Sequence, residues 1–218
     1  MTFVSVLTAT CNRASFIPDL IKCYMAQTHP KELMEWIVLD DGESVGHLFA
    51  GVPGVEYIHA AKQPMGAKLN ILKKRARGDV IVIMDDDDYY PPERIETAVK
   101  AFTNNPQHMV AGCSKVYMHF ADTDEICVAG PYSERHALNC TLAWRAGYNG
   151  RYDDEEPCAV EHAFLKEFTE PIIQLDTRKT ILHRVHLTNT FKDKRKISLL
   201  RKTNLTVADF ISVHRVSL

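Results

Sequence analysis

The chain lacks the sequence features that mark several large classes of protein. No glycine precedes Gly42, and neither G-x-x-x-x-G-K-[ST] nor G-x-G-x-x-G occurs anywhere. Because both patterns use glycines to bring the backbone close to phosphate, their absence excludes a P-loop ATPase and a dinucleotide-dependent dehydrogenase. No apolar run is long enough to span a membrane, and no basic leader precedes the first apolar segment. We therefore expect a cytoplasmic protein without a membrane span.

Charge and cysteine usage exclude two further classes. The 26 basic and 28 acidic residues give a formal net charge of -2, so the chain lacks the positive field of a nucleic-acid-binding protein. Its six cysteines include no Cys-x-x-Cys pair, and we expect free thiols and no zinc site. With 218 residues, 45% of them hydrophobic, the chain can form one domain with a substantial core, with or without a short appendage.

The most informative feature present is a run of four aspartates, Asp85 to Asp88, directly after the apolar residues 80–84. The apolar run is short and rich in β-branched residues, which predicts a central strand of a parallel sheet. Ligands bind at the carboxyl edge of such sheets, and Mg²⁺ or Mn²⁺ prefers carboxylate and phosphate oxygens. The run therefore predicts a metal site for a phosphorylated substrate. The alternative is a solvated acidic turn before a helix.

Strand and helix patterns alternate through the first half of the chain. Strands are predicted at 3–8, 36–39, 55–59 and 80–84, and helices at 16–27, 66–77 and 92–104. Ser15 is the predicted cap of the first helix, and Gly78 is the predicted terminator of the second. The second strand ends on Asp40-Asp41-Gly42, which places further carboxylates at a strand end. Such alternation predicts a parallel sheet with right-handed crossovers.

After residue 107 the pattern is looser and predicts an α+β extension of the sheet. Strands are predicted at 108–120, 126–129 and 180–185, with a turn at 122–124 and a short helix at 159–168. From Phe191 the chain carries seven basic and two acidic residues, typical of a docking tail, a linker or a solvated helix. We therefore expect one domain at 1–190, with halves at 1–105 and 106–190, and a basic tail at 191–218.

Motifs in a fixed order resemble a known family. They are residues 4–13 (VSVLTATCNR), residues 36–43 (WIVLDDGE), the pair Asn70 and Gly78, Asp85–Asp88 with Pro92-Glu93-Arg94 after it, and residues 182–190 (LHRVHLTNT). Their order and spacing resemble those of the family 2 glycosyltransferases of the GT-A fold. The resemblance covers roughly residues 3–105 most specifically. It implies an α/β GT-A fold with a mixed, mainly parallel sheet flanked by helices and an α+β acceptor half.

The resemblance also implies an activity, which is the transfer of a sugar from a UDP-sugar to a glycan or another hydroxyl acceptor, with Mn²⁺ or Mg²⁺. A weaker overall resemblance, to amino-terminal domains of multidomain glycosyltransferases of chlorella viruses, implies further domains in a longer chain and a location in the host cytoplasm. Two residues depart from the family pattern. Ala9 stands where the family has proline, and Cys11 stands where it has an aromatic that packs on the base. We therefore expect the uracil to be held differently.

Site residues follow from the resemblance and from their chemistry. Asp87 is expected to bind the cation, with Asp85 binding directly or through water and His186 completing the sphere, so that the ion stabilises charge on the leaving diphosphate. Asp41 is expected to accept the N3–H of uracil, whereas Asp40 is a turn residue or a neighbour of the ribose. Further nucleotide contacts are expected from Thr8, Thr10, Arg13, Lys68, Asp85 and Asp86. Lys68 is expected to contact phosphate, because it lies near the start of its helix. The alternative is that Lys68 is a solvated lysine.

The acceptor hydroxyl needs a general base. Where the family carries a Glu-Asp pair on a short helix, this chain has Glu161-His162. We expect Glu161 to be the base of an inverting single displacement. Residues 153–156 are the alternative base, or a solvated loop over the acceptor groove. Trp144 is expected in the core.

Two other functions stay open. One is a nucleotidyltransferase that makes a nucleotide sugar, although the first strand lacks the glycine-rich loop that such enzymes use. The other is a catalytically silent module that binds nucleotide or protein within a larger assembly, although the intact aspartate run and Glu161 argue against it.

Overall fold

The computed structural model describes residues 1–187, 189 and 200–211. In the first half, strands and helices alternate as β1 (Val4–Thr10), α1 (Ile17–Met25), β2 (Met34–Asp40), β3 (Val55–His59), α2 (Met65–Arg75), β4 (Val80–Ile83) and α3 (Arg94–Asn104). The second half contains β5 (Val110–Gly112), β6 (Val116–Phe120), β7 (Glu125–Ala129), β8 (Ala143–Arg145), α4 (Glu161–Phe164), β9 (Ile172–Gln174), β10 (His183–Val185) and β11 (Arg201–Lys202). The predicted alternation is confirmed.

A seven-stranded sheet in the order β3-β2-β1-β4-β8-β5-β9 forms the centre of the molecule. Strand β1 pairs in parallel with β2 on one side and with β4 on the other, whereas β8 runs antiparallel to both β4 and β5. Every residue of β1, β2 and β4 is buried, as is typical of parallel strands covered on both faces. The predicted fold class, a mixed and mainly parallel sheet flanked by helices, is confirmed.

The helices divide their apolar side chains between the two faces of this sheet. Helices α1 and α3 contribute Leu20 and Phe102 to one hydrophobic cluster, and α2 and α4 contribute Leu72 and Phe164 to the other. Trp144 lies fully buried in the second cluster, so its predicted place in the core is confirmed. No helix among the described residues is long and apolar enough to cross a membrane.

A second sheet of four strands, β10-β6-β7-β11, lies beside the first. Strands β6 and β7 form the antiparallel hairpin that the turn at 122–124 predicted. Strand β11 adds to β7, and Phe210 is buried with Ile126 and Leu182. Residues 200–211 are thus packed on the folded part of the chain, which extends past residue 190. The rest of the predicted basic tail lies outside the described residues.

Two predictions about helix ends were wrong. Ser15 does not cap α1, whose N-cap is Phe16 without a side-chain hydrogen bond. Gly78 does not terminate α2, whose C-cap is Ala76. It is instead required by close packing, since a Cβ there would come 2.5 Å from the Ser5 nitrogen.

The segment 108–120, predicted as one strand, forms two strands in different sheets. The chain leaves the first sheet after Gly112, because the N–H groups of Cys113 and Ser114 donate to side chains rather than to a neighbouring strand. Their acceptors are Thr141 Oγ1 at 2.9 Å and Gln174 Oε1 at 2.8 Å.

Candidate active site

The aspartate run lies at the carboxyl edge of the sheet, where β4 ends beside β1. Thr10, the last residue of β1, donates a hydrogen bond of 2.6 Å from Oγ1 to Asp86 Oδ2. Arg13 pairs with Asp87 Oδ2 and lies 3.8 Å from Asp86 Oδ1. Because β1 and β4 are parallel neighbours, the predicted contacts Thr10, Arg13 and Asp86 are brought together at one edge.

A second polar segment approaches the same edge just beyond β10. His186 Nε2 lies 3.1 Å from Asp87 Oδ2, and Asn189 Nδ2 lies 3.4 Å from the same oxygen. The Asn189 side chain also accepts a 2.5 Å hydrogen bond from the His186 N–H. The ring of Phe16 lies 4.7 Å from that of His186 and supports it. The predicted partners Asp87 and His186 therefore meet across 99 residues of sequence.

These donors fit a divalent cation. Adjacent ligands of an octahedral ion at about 2.1 Å lie about 3.0 Å apart, close to the 3.1 Å between Asp87 Oδ2 and His186 Nε2. Carboxylate and imidazole are both ligands that Mn²⁺ accepts. The same separation suits the hydrogen bond between the two groups, so the geometry is compatible with either state.

Electrostatics at this edge favour added positive charge. Burial, followed by the charge of Asp87, raises the pKa of Asp86 to about 7, although Thr10 and Arg13 oppose the rise. Burial and the charges of its three aspartate neighbours raise the pKa of Asp85 well above its ordinary value. Crowded carboxylates stay ionised at lower pH when a cation offsets their repulsion.

Asp88 has a different environment from Asp87. Its oxygens lie 2.8 Å and 3.1 Å from His183 Nδ1, and Oδ1 accepts the Arg184 N–H at 2.8 Å. With the Cys140 thiol these side chains form a compact group that could hold a metal. Because both Asp88 oxygens already have partners, we interpret the group as an ion pair that joins β10 to the edge of the first sheet. All six cysteines are free thiols.

The end of β2 places Asp40 and Asp41 in different roles. Asp40 holds the following turn, since it accepts the Gly42 N–H at 2.9 Å and the Tyr57 hydroxyl at 2.6 Å. Asp41 is buried and pairs with Lys68 Nζ at 2.9 Å. Lys68 is only 4% exposed, so the alternative of a solvated lysine was wrong.

Asp41 is held as a carboxylate. The Gln63 N–H donates to its Oδ2 at 3.0 Å. Burial acts to raise the pKa of Asp41, but the hydrogen bonds from Gln63 and Lys68 lower it below its ordinary value. Cys11 also hydrogen-bonds to this carboxylate, and Lys62 Nζ lies 3.8 Å from its Oδ2, so the Asp41 side chain is fully covered in the absence of nucleotide.

Two nearby residues differ from the family pattern or from their predicted use. The side chain of Thr8 is not at the edge, because its buried hydroxyl donates to the Met84 carbonyl at 2.6 Å and accepts from Trp36 Nε1 at 2.9 Å. Its expected nucleotide contact stays a prediction for the backbone. Lys62 Nζ lies 2.8 Å from Cys11 Sγ, so a polar pair stands where the family has an aromatic.

Glu161 is the first residue of α4, in the second half of the chain. Burial is the main reason that the pKa of Tyr152 is raised, and the charges of Asp85 and Glu161 raise it further. Both carboxylates therefore act electrostatically on the same hydroxyl. The next residue, His162, is exposed and contacts the ring of Phe168. The role of Glu161 as the base stays a prediction.

The acidic loop at 153–156 is exposed at Asp153 and Glu155, and it is also hydrogen-bonded to α2. Asn70 donates to the Tyr152 carbonyl at 2.9 Å and to Asp154 Oδ1 at 2.7 Å, and accepts the Tyr152 N–H at 3.1 Å. Gly66 adds a backbone bond to Glu156 at 3.0 Å. A Cβ at Gly66 would overlap the Asp153 carbonyl at 1.7 Å.

Sequence reasoning missed the roles of Asn70 and Asn189. Both residues belong to the motifs that carried the resemblance, and their fixed spacing was the available signal. The spacing could not indicate which groups the two asparagine side chains bond to.

The mixed sheet with an acidic carboxyl edge has the architecture of the GT-A fold. The chain matches the sequence model described as Glycosyl transferase family 2 over residues 5–159, and it belongs to that family. No curated protein is significantly similar to the chain in sequence.

Solved structures with similar folds are distant in sequence. The mannosyltransferase PcManGT from Pyrobaculum calidifontis, in complex with GDP-Man and Mn²⁺, superposes with a TM-score of 0.67 at 15% identity, over 86% of this chain and 58% of that one. S. aureus TarS 1–349, in complex with UDP-GlcNAc, superposes with a TM-score of 0.70 at 16% identity, over 86% and 60%. The chain therefore spans less than two thirds of the length of these neighbours.

Proposed function

We propose that this glycosyltransferase moves a sugar from a UDP-sugar to a hydroxyl of a glycan or another acceptor, using a divalent cation and inverting the anomeric carbon. The observation that carries the proposal is the convergence of Asp87, His186 and Asn189 at the carboxyl edge of β1 and β4. The structural neighbours crystallised with UDP-GlcNAc and GDP-Man support a nucleotide-sugar donor.

Asp87, His186 and Asp85 are the residues that would hold Mn²⁺ or Mg²⁺. When bound, the ion supplies Lewis-acid stabilisation of the charge that develops on the leaving diphosphate. Arg13, already paired with Asp87, offers a second positive group at the same edge. Thr10 orients Asp86 through its hydroxyl, which keeps that carboxylate beside the phosphates.

Asp41 is proposed to select the base. A carboxylate accepts the N3–H of uracil and rejects cytosine, which lacks that proton. Lys68 keeps Asp41 charged and pointing to one side, since their 2.9 Å contact is buried. The direct contact of Lys68 is therefore with Asp41, and its expected contact with phosphate would use the remaining donors of its ammonium group.

Glu161 is proposed to take the proton of the acceptor hydroxyl as that oxygen attacks the anomeric carbon from the face opposite the diphosphate. One positioned base and one departing diphosphate suffice for a single displacement, which inverts the configuration. The resemblance to multidomain viral enzymes supports the further proposal that the domain works beside other domains in a host cytoplasm.

Titration calorimetry of UDP with and without Mn²⁺ tests the metal site. In Asp87→Asn, we expect metal-dependent affinity to fall at least about 10-fold, because a charged ligand is lost. Asp122→Asn, in the exposed turn between β6 and β7, is the matched control and should bind as the parent does. Equal UDP affinity with Mn²⁺ and with chelator in the parent would refute the metal assignment, and tighter binding of GDP or CDP would refute the base assignment.

The substitution Glu161→Gln tests the base. It keeps size and hydrogen-bonding capacity, so UDP binding should survive while transfer to an acceptor slows by about 10²–10⁴-fold. Asp153→Asn, in the alternative acidic loop, should keep nearly parental turnover. The opposite ranking would transfer the role to Asp153, and a product of retained configuration would exclude the single displacement.

A further inference from the structure

Four aromatic rings contact one another in series, starting from His162, the residue after Glu161, and we call them the ring platform: Tyr132, His136, Phe168 and His162. The Tyr132 ring lies 4.8 Å from His136, which stacks on Phe168 at 4.9 Å. His162 meets Phe168 edge to face at 5.3 Å. Tyr132 is 55% exposed and His162 is also exposed, so the platform opens to solvent. None of the nucleotide or metal contacts proposed above uses these rings.

The segment that carries Tyr132 and His136 is fixed at several points. The Tyr132 N–H donates to the Ser114 carbonyl at 3.2 Å. Gln174 Nε2 donates to the carbonyls of Glu134 and His136, both at 3.0 Å. The platform is therefore held in place before any ligand arrives, which lowers the entropic cost of binding one.

The segment that carries Phe168 is strained. Lys166, Glu167 and Phe168 have φ values of 51°, 56° and 59°, in the left-handed region that residues other than glycine rarely adopt. Three consecutive residues of this kind turn the chain sharply after α4 and set the Phe168 ring against His136. Because such strain concentrates at functional sites, the turn points to a use for the ring that it presents.

We propose that the ring platform is an acceptor subsite that binds a pyranose ring of a carbohydrate by stacking. The inference rests on the proposed function, because it gives the acceptor sugar a place beside the general base. Aromatic faces carry partial negative charge, and the C–H groups on one side of a pyranose are weakly positive. The exposed imidazole of His162 at the rim can bond to sugar hydroxyls. Aromatic walls with a few polar groups are typical of small-molecule sites.

The position of Glu161 agrees with this assignment. Burial raises the pKa of Tyr132 in the platform, and the charge of Glu161 raises it further. Burial also raises the pKa of the Cys140 thiol at the aspartate edge, and the charges of Asp88, Asp85 and Glu161 add to this rise. The charge of Glu161 therefore acts on groups at both the donor edge and the platform, and the ring contact of its chain neighbour His162 with Phe168 joins α4 to the platform.

Saturation-transfer NMR with methyl β-D-glucopyranoside and methyl β-D-xylopyranoside tests the proposal, with acyclic sorbitol as the non-stacking control. Tyr132→Ala and Phe168→Ala should each reduce saccharide affinity about 3- to 10-fold. Tyr132→Phe keeps the ring and should bind nearly as the parent does. Met25→Ala removes another exposed apolar side chain, on α1, and should have no effect. Thermal melting of each variant checks that it is folded, and Tyr132→Ala leaves the strained turn intact.

Calorimetry of UDP with Mn²⁺ on the same variants separates this inference from the proposed function. Weaker saccharide binding with unchanged UDP binding supports the subsite. A parent that binds neither glycoside, or a Tyr132→Ala variant that binds them like the parent, overturns it. A parent that binds the glycosides through these rings but does not bind UDP would contradict the proposed function and leave the carbohydrate subsite standing.

Discussion

A buried charge at the edge of the sheet depends on a single partner. The Lys68 side chain is 5% exposed, and its ammonium group lies 2.9 Å from Asp41. Such an ion pair contributes little to folding stability compared with an apolar pair of the same shape. Removing one member, however, leaves the other charge buried without a partner, which is strongly destabilising.

Asp41→Asn should therefore destabilise the nucleotide-free protein by about 3–5 kcal/mol, measured by urea unfolding. Adding Lys68→Met to that variant should recover much of the loss, because the stranded charge is removed. Glu56→Gln, which breaks the exposed pair with Arg75, is the matched control and should cost less than about 1 kcal/mol. Similar costs for Asp41→Asn and Glu56→Gln would contradict a buried ion pair.

Residue-level predictions from the sequence succeeded where chemistry is local. Four adjacent carboxylates after an apolar run indicated a charged strand end, and the structure has one. The environment of Lys68 could not be predicted, because its helix carries several basic residues and only one of them meets an acid 27 positions away. Thr8 is a similar case, since its hydroxyl bonds to Trp36 on β2 and to the carbonyl of Met84 directly after β4.

Side chains of helix α2 hold the loop that precedes α4 through hydrogen bonds. Lys73 Nζ donates to the Tyr148 carbonyl at 2.9 Å, and Asn70 makes three hydrogen bonds to Tyr152 and Asp154. The same helix bears Lys68 on its first turns. Asp41, through its pair with Lys68, and the loop at 150–156 are thereby supported by one element.

Asn70→Ala should release this loop. Loss of the side chain leaves the Tyr152 N–H and carbonyl without their partner, so we expect a cost of about 1–3 kcal/mol and faster amide hydrogen exchange in residues 150–156. Asn105→Ala, at the end of α3, removes a side-chain bond within one helix and should leave exchange in that loop unchanged. Unaltered exchange in Asn70→Ala would show that backbone contacts alone hold the loop.

At the element scale, periodicity located the strands and helices of the first half but not their ends. The short strands of the second half were harder, because strands of three residues such as β5, β8 and β9 contain too little pattern to recognise. The end of β5, for example, is followed by bonds from the backbone of Cys113 and Ser114 to the distant side chains of Thr141 and Gln174. Such partners are known only once the fold has formed.

At the scale of the whole molecule, the two sheets are joined at the aspartate run. An isolated bridge pairs Tyr89 with Leu182, and Asp88 bonds to His183 and to the Arg184 N–H immediately beyond it. Strand β10 therefore reaches the first sheet through residues adjacent to Asp87, and His186 follows three positions after His183. The placement of His186 against Asp87 thus depends on how the two sheets are held together.

This junction makes stability depend on pH in a defined direction. Burial acts to lower the pKa of His183, but the Asp88 carboxylate raises it to about 9, above the ordinary value of about 6.5. Because the folded pKa exceeds the unfolded one, the stabilisation is complete below about pH 6.5 and is lost as the pH rises toward 9. Its full size is at most about 3–4 kcal/mol, at roughly 1.4 kcal/mol for each pKa unit.

We therefore expect the metal-free protein, kept in chelator, to lose stability between pH 6.5 and pH 9 in urea unfolding, and His183→Gln to lose less over the same interval. Asp86 also titrates in this window, so the difference between parent and variant isolates the contribution of His183. His47→Gln, at an exposed position, should keep the pH dependence of the parent. If His183→Gln follows the parent curve at every pH, the pair between Asp88 and His183 does not join the two sheets energetically, and the alignment of His186 must come from the segment around Asn189.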